Sequence, residues 1–390
     1  MSEPCVLIWL SDLGGGGAQR TMLNLAATLP AQGLSVQVAV GQAAGLARQW
    51  AEPNLQFYEL GGSRLAALIP SLARLIRSHK PDAILSTMVD ANVATYLAAK
   101  LAGTDAPVIL RETNSHRARS DLGFIRRQLA GYAYRRADQV IALSEGVRRE
   151  LIDDMGLASD RIVTIPNPVG VSAIARATRE ARNGAPPNGI VPGTPHIVTV
   201  GRLHRQKGID ILLDAFAKQQ SDARLIVLGE GPERATLEAQ AKRLGIFERI
   251  YMPGFTSDVS SYLAHADLFV LSSRWEGFGH VIVEAMAAGL PVIATNCPYG
   301  PADILRHNET GWLVPPEDAN ALATAMSYAL GERADARRVA AAGAKAAERY
   351  ESSCVAGEYA AMIREAIARR KSLRSAGKLA GRNLLDSAKL

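Results

Sequence analysis

Apolar residues recur along this chain in two alternating patterns, short continuous runs and longer stretches with helical spacing. The helical stretches include one that begins at Ala18, with Met22, Leu23 and Leu29 on its apolar side, and others at 65–77 and 92–101. The short runs in the first part of the chain are 6–10, 36–40, 83–85, 108–110, 139–143 and 162–165. Continuous runs are typical of strands buried on both faces of a parallel sheet. Strands that alternate with helices predict a doubly wound α/β domain, here over residues 1–166.

The pattern changes in residues 167–195, which are rich in proline, glycine and small residues and have no sustained periodicity. This composition predicts a linker between domains. The alternation then restarts, with strands expected at 197–200, 225–228, 250–252, 268–271 and 292–294, and helices at 210–219, 232–244, 257–264 and 280–288. A second α/β domain of similar size is therefore predicted over residues 196–350.

The last part of the chain is helical in pattern and rich in alanine from about Ala319 to about Arg370. Residues 371–390 follow as a basic tail, in which Asp386 is the only acidic residue among several lysines and arginines. Two structures are open for this tail, a disordered segment or a helix on an acidic membrane. Disorder is the expected state, because the tail has few apolar residues to bury.

Composition narrows the classes of function. A chain of 390 residues is too long for one core, so two or three domains are expected. A net charge of +6 is compatible with binding to anionic lipid, nucleic acid or phosphorylated substrates. Aromatic residues make up only 5% of the chain, too few for a surface that stacks on bases, so no nucleic acid partner is expected. The cysteines and histidines lack metal-binding spacings and no D-x-D occurs, so nothing indicates a metal site.

The start of the chain, MSEPCVLIWL, lacks a basic leader, and its apolar run has only the length of a strand. It resembles neither a signal peptide nor a membrane span, and no other apolar run approaches about 18 residues. With its widely spaced cysteines, the chain is expected in a reducing cytoplasm.

A glycine run at 14–17 separates the first strand from the first helix. Gly15, Gly16 and Gly17 would let a ligand approach the backbone at the start of that helix. The run is not a dinucleotide fingerprint, because Gln19 stands where G-x-G-x-x-G needs glycine, and no G-K-[ST] occurs. Neither NAD binding nor ATPase chemistry is therefore expected. The alternative is a flexible linker, which is uncommon between a buried strand and its helix.

The loop GRLHRQKG, residues 201–208, directly follows the first strand of the second domain and carries Arg202 and Lys207. In a parallel sheet such a loop lies at the carboxyl edge, where ligands bind. Fixed cations there can stabilise a leaving diphosphate more in the transition state than in the ground state, which is what a metal would otherwise do. The alternative is a solvated basic loop.

A second loop, RWEGFGHVIVE, leads from the strand 268–271 into a helix that begins near His280. Gly277 and Gly279 leave the helix N-terminus open to a phosphate, and Glu276 and Glu284 can hold hydroxyl groups of the same ligand. A diphosphate with a sugar on each side suits this arrangement. The alternative is a capped core helix with two solvated glutamates.

With the glycine run, the GRLxxxKG loop and the E-x7-E helix in this order, the chain resembles glycosyltransferase family 4, the glycosyl transferases of group 1. The similarity extends to about Arg370. It implies the GT-B fold: two facing Rossmann-like domains, with the donor mainly on the second, the acceptor in the cleft, and a C-terminal crossover helix, here 351–370, that returns to the first domain. It also implies retention of anomeric configuration without a metal or other cofactor.

The resemblance also implies roles for individual residues. Arg202 and Lys207 would bind the donor diphosphate and Glu276 the donor sugar, which makes these three the catalytic candidates. Phe278 and Gly279 would offer backbone amides, and Glu284 would hold the ribose hydroxyls.

The stretch NCPYGPADIL, 296–305, is similar to the PYGPxEIL loop of family members that build lipid-linked or surface glycans. Tyr299 and Gly300 would therefore lie beside the sugar and phosphates of the donor. Asp303 replaces the usual glutamate. This change leaves the identity of the donor sugar open.

One stretch departs from the family pattern. Many members have Glu-His at the end of a first-domain strand, whereas Glu112 is followed here by Thr113. Asn114 or His116 can substitute in facing the sugar.

The acceptor side is expected within residues 111–149, where nine arginines, among them Arg117 and Arg119, outnumber four carboxylates by nine minus four, or +5. Leu122, Phe124, Ile125, Leu129 and Tyr132 are interleaved with them. Such a basic amphipathic helix can lie on anionic lipid, with arginines reaching an acceptor diphosphate. The alternative is a solvated helix face packed on the core.

Together these features predict a retaining glycosyltransferase that moves a hexose or N-acetylhexosamine from a UDP-sugar to a glycan acceptor. The expected acceptor is lipid-linked, and the expected location is the cytoplasm or the inner face of the cytoplasmic membrane. Two other functions are open, a sugar-nucleotide epimerase of GT-B fold and a catalytically silent binding partner.

Overall fold

A computed structural model describes residues 3–14, 17–45, 55–62, 64–113, 123–219 and 221–387. The chain divides into two compact units. Unit 1 comprises Met1–Leu143, Val147–Pro168 and Ser352–Leu390, and unit 2 comprises Ser144–Gly146 and Val169–Glu351. Each unit is built on a parallel sheet with helices packed against it, so the predicted α/β class is confirmed.

Unit 1 contains a seven-stranded parallel sheet in the order β3-β2-β1-β4-β5-β6-β7. Its strands are β1 Cys5–Leu10, β2 Ser35–Val40, β3 Phe57–Glu59, β4 Ala83–Thr87, β5 Val108–Glu112, β6 Gln139–Ala142 and β7 Ile162–Thr164. In the centre of the sheet, Ile8 of β1 pairs with Val38 on one side and Leu85 on the other. The strand order changes direction between β1 and β4, and in open α/β sheets ligands bind at such a point.

Unit 1 contains the helices α1 Gly17–Thr28, α2 Leu65–His79, α3 Val89–Ala102, α4 Phe124–Arg136 and α5 Glu145–Met155, and also the C-terminal helix of the chain. The last helix of the chain, α14 Ser352–Ser387, packs on α1 and β4. Its apolar residues Val355, Tyr359, Ile363 and Ile367 recur every four positions and are buried in the core of unit 1. This spacing explains why the segment is a helix with one face in the core.

Unit 2 contains a six-stranded parallel sheet in the order β10-β9-β8-β11-β12-β13. Its strands are β8 His196–Val200, β9 Arg224–Leu228, β10 Ile250–Gly254, β11 Leu268–Leu271, β12 Val292–Thr295 and β13 Trp312–Val314. Val198 of β8 pairs with Ile226 of β9 and Phe269 of β11. The strand order changes direction between β8 and β11.

The helices of unit 2 are α6 Val171–Arg182, α7 Ile209–Phe216, α8 Arg234–Arg243, α9 Val259–Ala264, α10 His280–Ala287, α11 Pro301–Ile304, α12 Ala319–Gly331 and α13 Arg333–Ala347. Side chains from α7, α12 and α13 form the core of this unit with β8, β9 and β11. No helix in the described residues is long and apolar enough to cross a membrane.

The expected linker at 167–195 is partly wrong, because its first half forms α6, which packs on α9 and α10. Val171 and Thr178 are buried there. The guanidinium of Arg182 donates to the carbonyl oxygens of Ala264 and Ala288, at 3.3 and 3.0 Å. This arginine thus satisfies carbonyl groups where α9 and α10 end, a contact that hydrophobic periodicity does not reveal.

The expected disorder of the tail is also wrong for most of its length. A single helix, α14, continues from the core-packed segment to Ser387, so the expected boundary between residues 351–370 and 371–390 does not exist as a break in the helix. The first part of this helix is fixed by its buried apolar face. Its helical backbone continues past Ile367, the last buried residue among the side chains that the structure describes, because no proline interrupts it and its lysines, arginines, leucines and alanines favour helix.

Candidate donor-binding site

Two loops of unit 2 follow the central strands β8 and β11, the pair at which the strand order changes direction. The first, residues 201–208, contains a short turn Arg205–Lys207 that ends at Gly208. Gly208 has φ 59°, and a Cβ there would lie 2.1 Å from the carbonyl oxygen of Ser272. Only glycine allows this close approach, which brings the first loop against the start of the second.

Lys207 and Glu276 form an ion pair at the contact between these loops. Lys207 Nζ lies 2.5 Å from Glu276 Oε1, and the side chains are 18% and 7% exposed. The aliphatic part of Lys207 lies along the backbone of Gly201. Ser273 Oγ donates to the same Glu276 oxygen at 2.6 Å. With both of these bonds on Oε1, the lone pairs of Oε2 can accept hydroxyl groups of a ligand.

The Glu276 backbone is fixed from the other side by residues that precede α11. Its amide donates to the carbonyl oxygen of Pro298, and its carbonyl accepts from the amide of Tyr299, both at 2.9 Å. Gly300, with φ 103°, lets the chain pass close to the carbonyl oxygen of Phe278, which a Cβ would approach to 2.2 Å. The PYGP stretch is therefore held against the Glu276 loop, and the roles of Tyr299 and Gly300 beside the donor remain predictions.

The start of α10 lies directly after this loop. Gly277 and Phe278 are buried, and Phe278 contacts the rings of His280 and Tyr350 edge to face, at centroid distances of 5.4 and 5.5 Å. Gly279 is the N-terminal cap residue of α10 and has φ 101°. The amide groups of the first turn have no partner within the helix, so this terminus can receive a phosphate.

Glu284 lies inside α10, four positions after His280, so the two residues share one face of the helix. Both are partly exposed, whereas Ile282, Val283 and Ala285 are buried. Arg202 is exposed in the loop after β8. Arg202, Lys207, Glu276 and Glu284 therefore all come from segments that follow β8 and β11, and Lys207 and Glu276 are in direct contact.

Three supporting residues of this site were missed by the sequence analysis: Gln206, Ser273 and Arg274. The backbone carbonyl oxygen of Gln206 accepts a hydrogen bond from the amide of Arg274 at 2.7 Å. The side-chain amide of Gln206 donates a hydrogen bond to the carbonyl oxygen of Trp275 at 2.9 Å. In the sequence, Ser273 could have been recognised as a small polar residue close after the apolar run of a central strand. In the structure its side chain is fully buried. Such residues at the carboxyl edge are typical of binding sites.

Arg274 connects the two loops through its side chain. Its guanidinium donates to Asp210 at 2.7 and 2.8 Å, to Glu317 at 2.5 Å and to the carbonyl of Arg205 at 2.8 Å. Burial would raise the pKa of Asp210, but the hydrogen bonds and charge of Arg274 outweigh it and hold that pKa below its ordinary value. The hydrogen bonds that Arg274 donates to Asp210 in turn raise the pKa of Arg274. Arg274 thus fixes the Lys207 loop relative to the Glu276 loop.

Cys297 lies beside this cluster and is buried. Burial, and then the negative charge of Glu276, raise the pKa of its thiol to about 12. The thiol is therefore protonated and unreactive at neutral pH. Within the described residues, no group of three or more His, Cys, Asp or Glu side chains could hold a metal ion.

In unit 1, the end of β5 is more buried than the sequence analysis expected. Arg111 is fully buried and donates to Tyr359 at 3.0 Å, to Thr87 at 2.8 Å and to Asn167. Arg111, one of the nine arginines counted within residues 111–149, therefore does not contribute to a basic surface, because its side chain ties β5 to α14. Glu112 is buried as well, and its carboxylate accepts from the Tyr134 hydroxyl at 2.5 Å.

Several predicted residues lie outside the described part of the chain: Gly15 and Gly16 of the glycine run, and Asn114, His116, Arg117 and Arg119 of the segment after β5. Gly17 is described and is the first residue of α1. The roles predicted for all of these residues remain predictions.

Helix α4 presents large apolar residues on its surface. Ile125, Leu129 and Tyr132 are exposed, 74% in the case of Ile125, whereas Ala130 and Ala133 pack inward. Arg136 stacks on the Tyr132 ring with its guanidinium carbon 4.0 Å from the centroid. On the neighbouring helix α3, Leu97 and Leu101 are also exposed. The apolar residues that the sequence interleaves with arginines are therefore not all part of the core.

Comparison with known proteins identifies two family models in this chain. The model described as Glycosyltransferase Family 4 matches residues 15–172, and the one described as Glycosyl transferases group 1 matches residues 183–346. The chain is 30% identical over 366 residues to a phosphatidyl-myo-inositol mannosyltransferase of Mycobacterium leprae, which covers 88% of this chain and 91% of that protein.

It is also 24% identical over 331 residues to the N-acetylgalactosamine-N,N'-diacetylbacillosaminyl-diphospho-undecaprenol 4-alpha-N-acetylgalactosaminyltransferase of Campylobacter jejuni, covering 81% of this chain and 87% of that protein. For another curated relative, the match spans only 25% of its length. Among solved structures, Anabaena Alr3699/HepE in complex with UDP has a TM-score of 0.79 at 23% identity, covering 93% of this chain and 100% of that one.

Proposed function

Because this chain belongs to glycosyltransferase family 4, the glycosyl transferases of group 1, and has the GT-B fold, we propose that it transfers a hexose or N-acetylhexosamine from a UDP-sugar to a glycan acceptor with retention of anomeric configuration. The observation that carries this proposal is the Lys207–Glu276 pair, held by Ser273 between the loops that follow β8 and β11.

The donor diphosphate lies over the start of α10 in this proposal, where it accepts from the first-turn amides and from Arg202 and Lys207. Its negative charge grows as the bond to the sugar breaks, so cations placed beforehand stabilise the transition state more than the bound donor. Lys207 contacts Glu276, so the diphosphate shares this ammonium with the carboxylate. No metal ion or cofactor is needed for the charge compensation that these side chains provide.

Glu276 positions the donor sugar through Oε2, while Oε1 keeps its bonds to Lys207 and Ser273. Glu284 accepts hydrogen bonds from the ribose hydroxyls at the other end of the diphosphate. The acceptor hydroxyl attacks the anomeric carbon on the face of the leaving group, and its proton passes to the departing phosphate oxygen. One glycosidic bond forms as the sugar–phosphate bond breaks, and UDP leaves.

We propose a lipid-linked acceptor, reached from the cytoplasmic face of an anionic membrane. The name of the Campylobacter relative, which specifies a diphospho-undecaprenol acceptor, supports this choice. The exposed residues Ile125, Leu129 and Tyr132 of α4 support membrane contact, because apolar side chains next to arginines suit the interface of an anionic bilayer.

Thermal unfolding with UDP, GDP, ADP and a panel of UDP-sugars tests the donor. A ligand at 100 times its dissociation constant stabilises the folded state by about 2.7 kcal/mol, which raises the unfolding midpoint measurably. We expect UDP and one UDP-sugar to raise it, and a rise with GDP alone contradicts the donor class. An epimerised nucleotide sugar formed without acceptor indicates the epimerase, and no binding of any nucleotide sugar indicates a silent partner.

A further inference from the structure

A cavity of about 610 Å³ opens on unit 1, far along the strands from their carboxyl ends. It is lined by the ends of α2 and α3, by the segments that lead into β4 and β5, and by α14. These segments precede their strands, so the cavity lies at the amino-terminal edge of the sheet. The proposed donor site belongs to unit 2, so the cavity is a separate feature.

Five cations line this cavity, and they come from two elements, the C-terminal end of α2 and helix α14: Arg77, Lys80, Arg370, Lys371 and Arg374. The lining contains two carboxylates, Asp82 and Asp105, so its net charge is five minus two, or +3. Such a concentration of like charges destabilises the folded state unless it is compensated.

Part of this charge is compensated within the protein. Arg374 pairs with Asp105 at 2.5 Å, and Arg370 pairs with Asp138, outside the lining, at 3.0 Å. Arg77 donates to the carbonyl groups of Leu101 and Ala102, which end α3 and need donors. Including Asp138, the charge is +2.

Among the described residues, Arg77, Lys80 and Lys371 are left without a carboxylate partner, and Asp82 lowers their combined charge from +3 to +2. Of these three residues, Lys80 and Lys371 carry ammonium groups. Neither ammonium forms an ion pair with another described residue, and both side chains are exposed. Lys80 holds a left-handed conformation, φ 45°, as the residue that ends α2, and its amide donates to Ile76 at 3.0 Å. The backbone of Lys80 is therefore held in place at the end of α2. Two ammonium groups without an ion pair, on separate elements that line one cavity, together match the charge of a divalent anion.

We propose that this cavity binds a phosphate group, held between Lys80 and Lys371 with Arg77 beside it. The proposal does not depend on the transferase activity. Two sources offer this chemistry, a soluble phosphate compound and the headgroup of an anionic lipid.

The test compares the full chain with a Lys80→Gln/Lys371→Gln variant and with a control, Lys242→Gln/Lys345→Gln. The control removes the same charge from exposed lysines of α8 and α13 in unit 2. Unfolding midpoints are measured with inorganic phosphate and with chloride at equal ionic strength. We expect phosphate to raise the midpoint of the wild type and the control, and its affinity to fall about tenfold or more in the cavity variant.

Flotation with phosphatidylcholine vesicles, with and without phosphatidylglycerol, tests the lipid source. Binding to the anionic vesicles that the cavity variant loses and the control keeps assigns the site to a lipid headgroup. Equal responses of the two variants to phosphate and to vesicles overturn the proposal, since any binding then arises elsewhere. UDP should stabilise all three proteins equally, so a failure of the phosphate site is distinguishable from a failure of the donor site.

Discussion

Replacing Lys207 by alanine removes the cation at the centre of the proposed donor site. The lysine forms a 2.5 Å ion pair with Glu276, whose side chain is only 7% exposed. Loss of one transition-state charge donor typically costs about 10²–10³ in turnover, which corresponds to roughly 3–4 kcal/mol. We expect a decrease of about one to three decades, because Arg202 and the α10 amides remain.

The same substitution leaves the Glu276 carboxylate buried with Ser273 as its remaining side-chain donor. Breaking a fully buried pair by removing one partner costs about 3–5 kcal/mol. Lys207 is partly exposed, so water can replace part of its contact, and we expect a loss of about 2 kcal/mol in the free energy of unfolding. Urea denaturation measures this loss, and Lys345→Ala provides a control for removal of one positive charge.

A second variant separates the two effects. In Lys207→Ala/Glu276→Gln the buried charge is gone, so stability should recover while turnover stays low. Turnover is measured as UDP release in a coupled assay at saturating donor. Near-normal turnover of Lys207→Ala, or restored turnover in the double variant, refutes the assigned role of this lysine in the transition state.

Four further predictions follow from contacts at the site and from the course of α14. Glu284→Ala should weaken UDP binding about tenfold in calorimetry, through lost ribose contacts, and an unchanged affinity would contradict this placement. Arg274→Ala should lower turnover by moving the Lys207 loop, with little further loss when Lys207 is already alanine; additive losses would show an independent role. Cys297 should resist alkylation by iodoacetamide at pH 8 in the folded protein, and rapid alkylation of the native protein would contradict its burial. The free energy of unfolding should decrease as the pH rises from 9 towards 12, because the thiol ionises at lower pH in the unfolded chain than in the folded protein. Deletion of residues 371–390 should leave turnover on soluble substrates unchanged, because the buried side chains of α14 that the structure describes lie at or before Ile367; a loss of activity would show that the segment supports the fold.

The elements that sequence analysis missed share a physical cause. Strands β3 and β13 have three residues each and lie at sheet edges, so they lack the long apolar runs of central strands. Helix α6 lies between proline- and glycine-rich segments and buries only a few residues of its own. In each case packing against neighbours, rather than local pattern, provides the stabilisation.

Local composition was also misleading for the tail, residues 371–390, where it predicted disorder and the structure has a helix. Its composition favours disorder when residues 371–390 are considered alone, since they contain little to bury. The preceding turns of α14, however, are fixed by Tyr359, Ile363 and Ile367 in the core of unit 1. Helix nucleation is the costly step, and a helix that is already formed extends residue by residue at low cost.

The sequence by itself determined the α/β class, the central strands and the loops that carry Arg202, Lys207, Glu276 and Glu284. It could do so because continuous apolar runs mark buried parallel strands, and loops after such strands meet at one edge of a sheet. Only the tertiary structure decided that Lys207 contacts Glu276, that Ser273 shares the same carboxylate oxygen, and that Arg111 is buried against α14. These contacts join residues far apart in the chain, and their distances and burial depend on how whole elements pack, which no local pattern encodes.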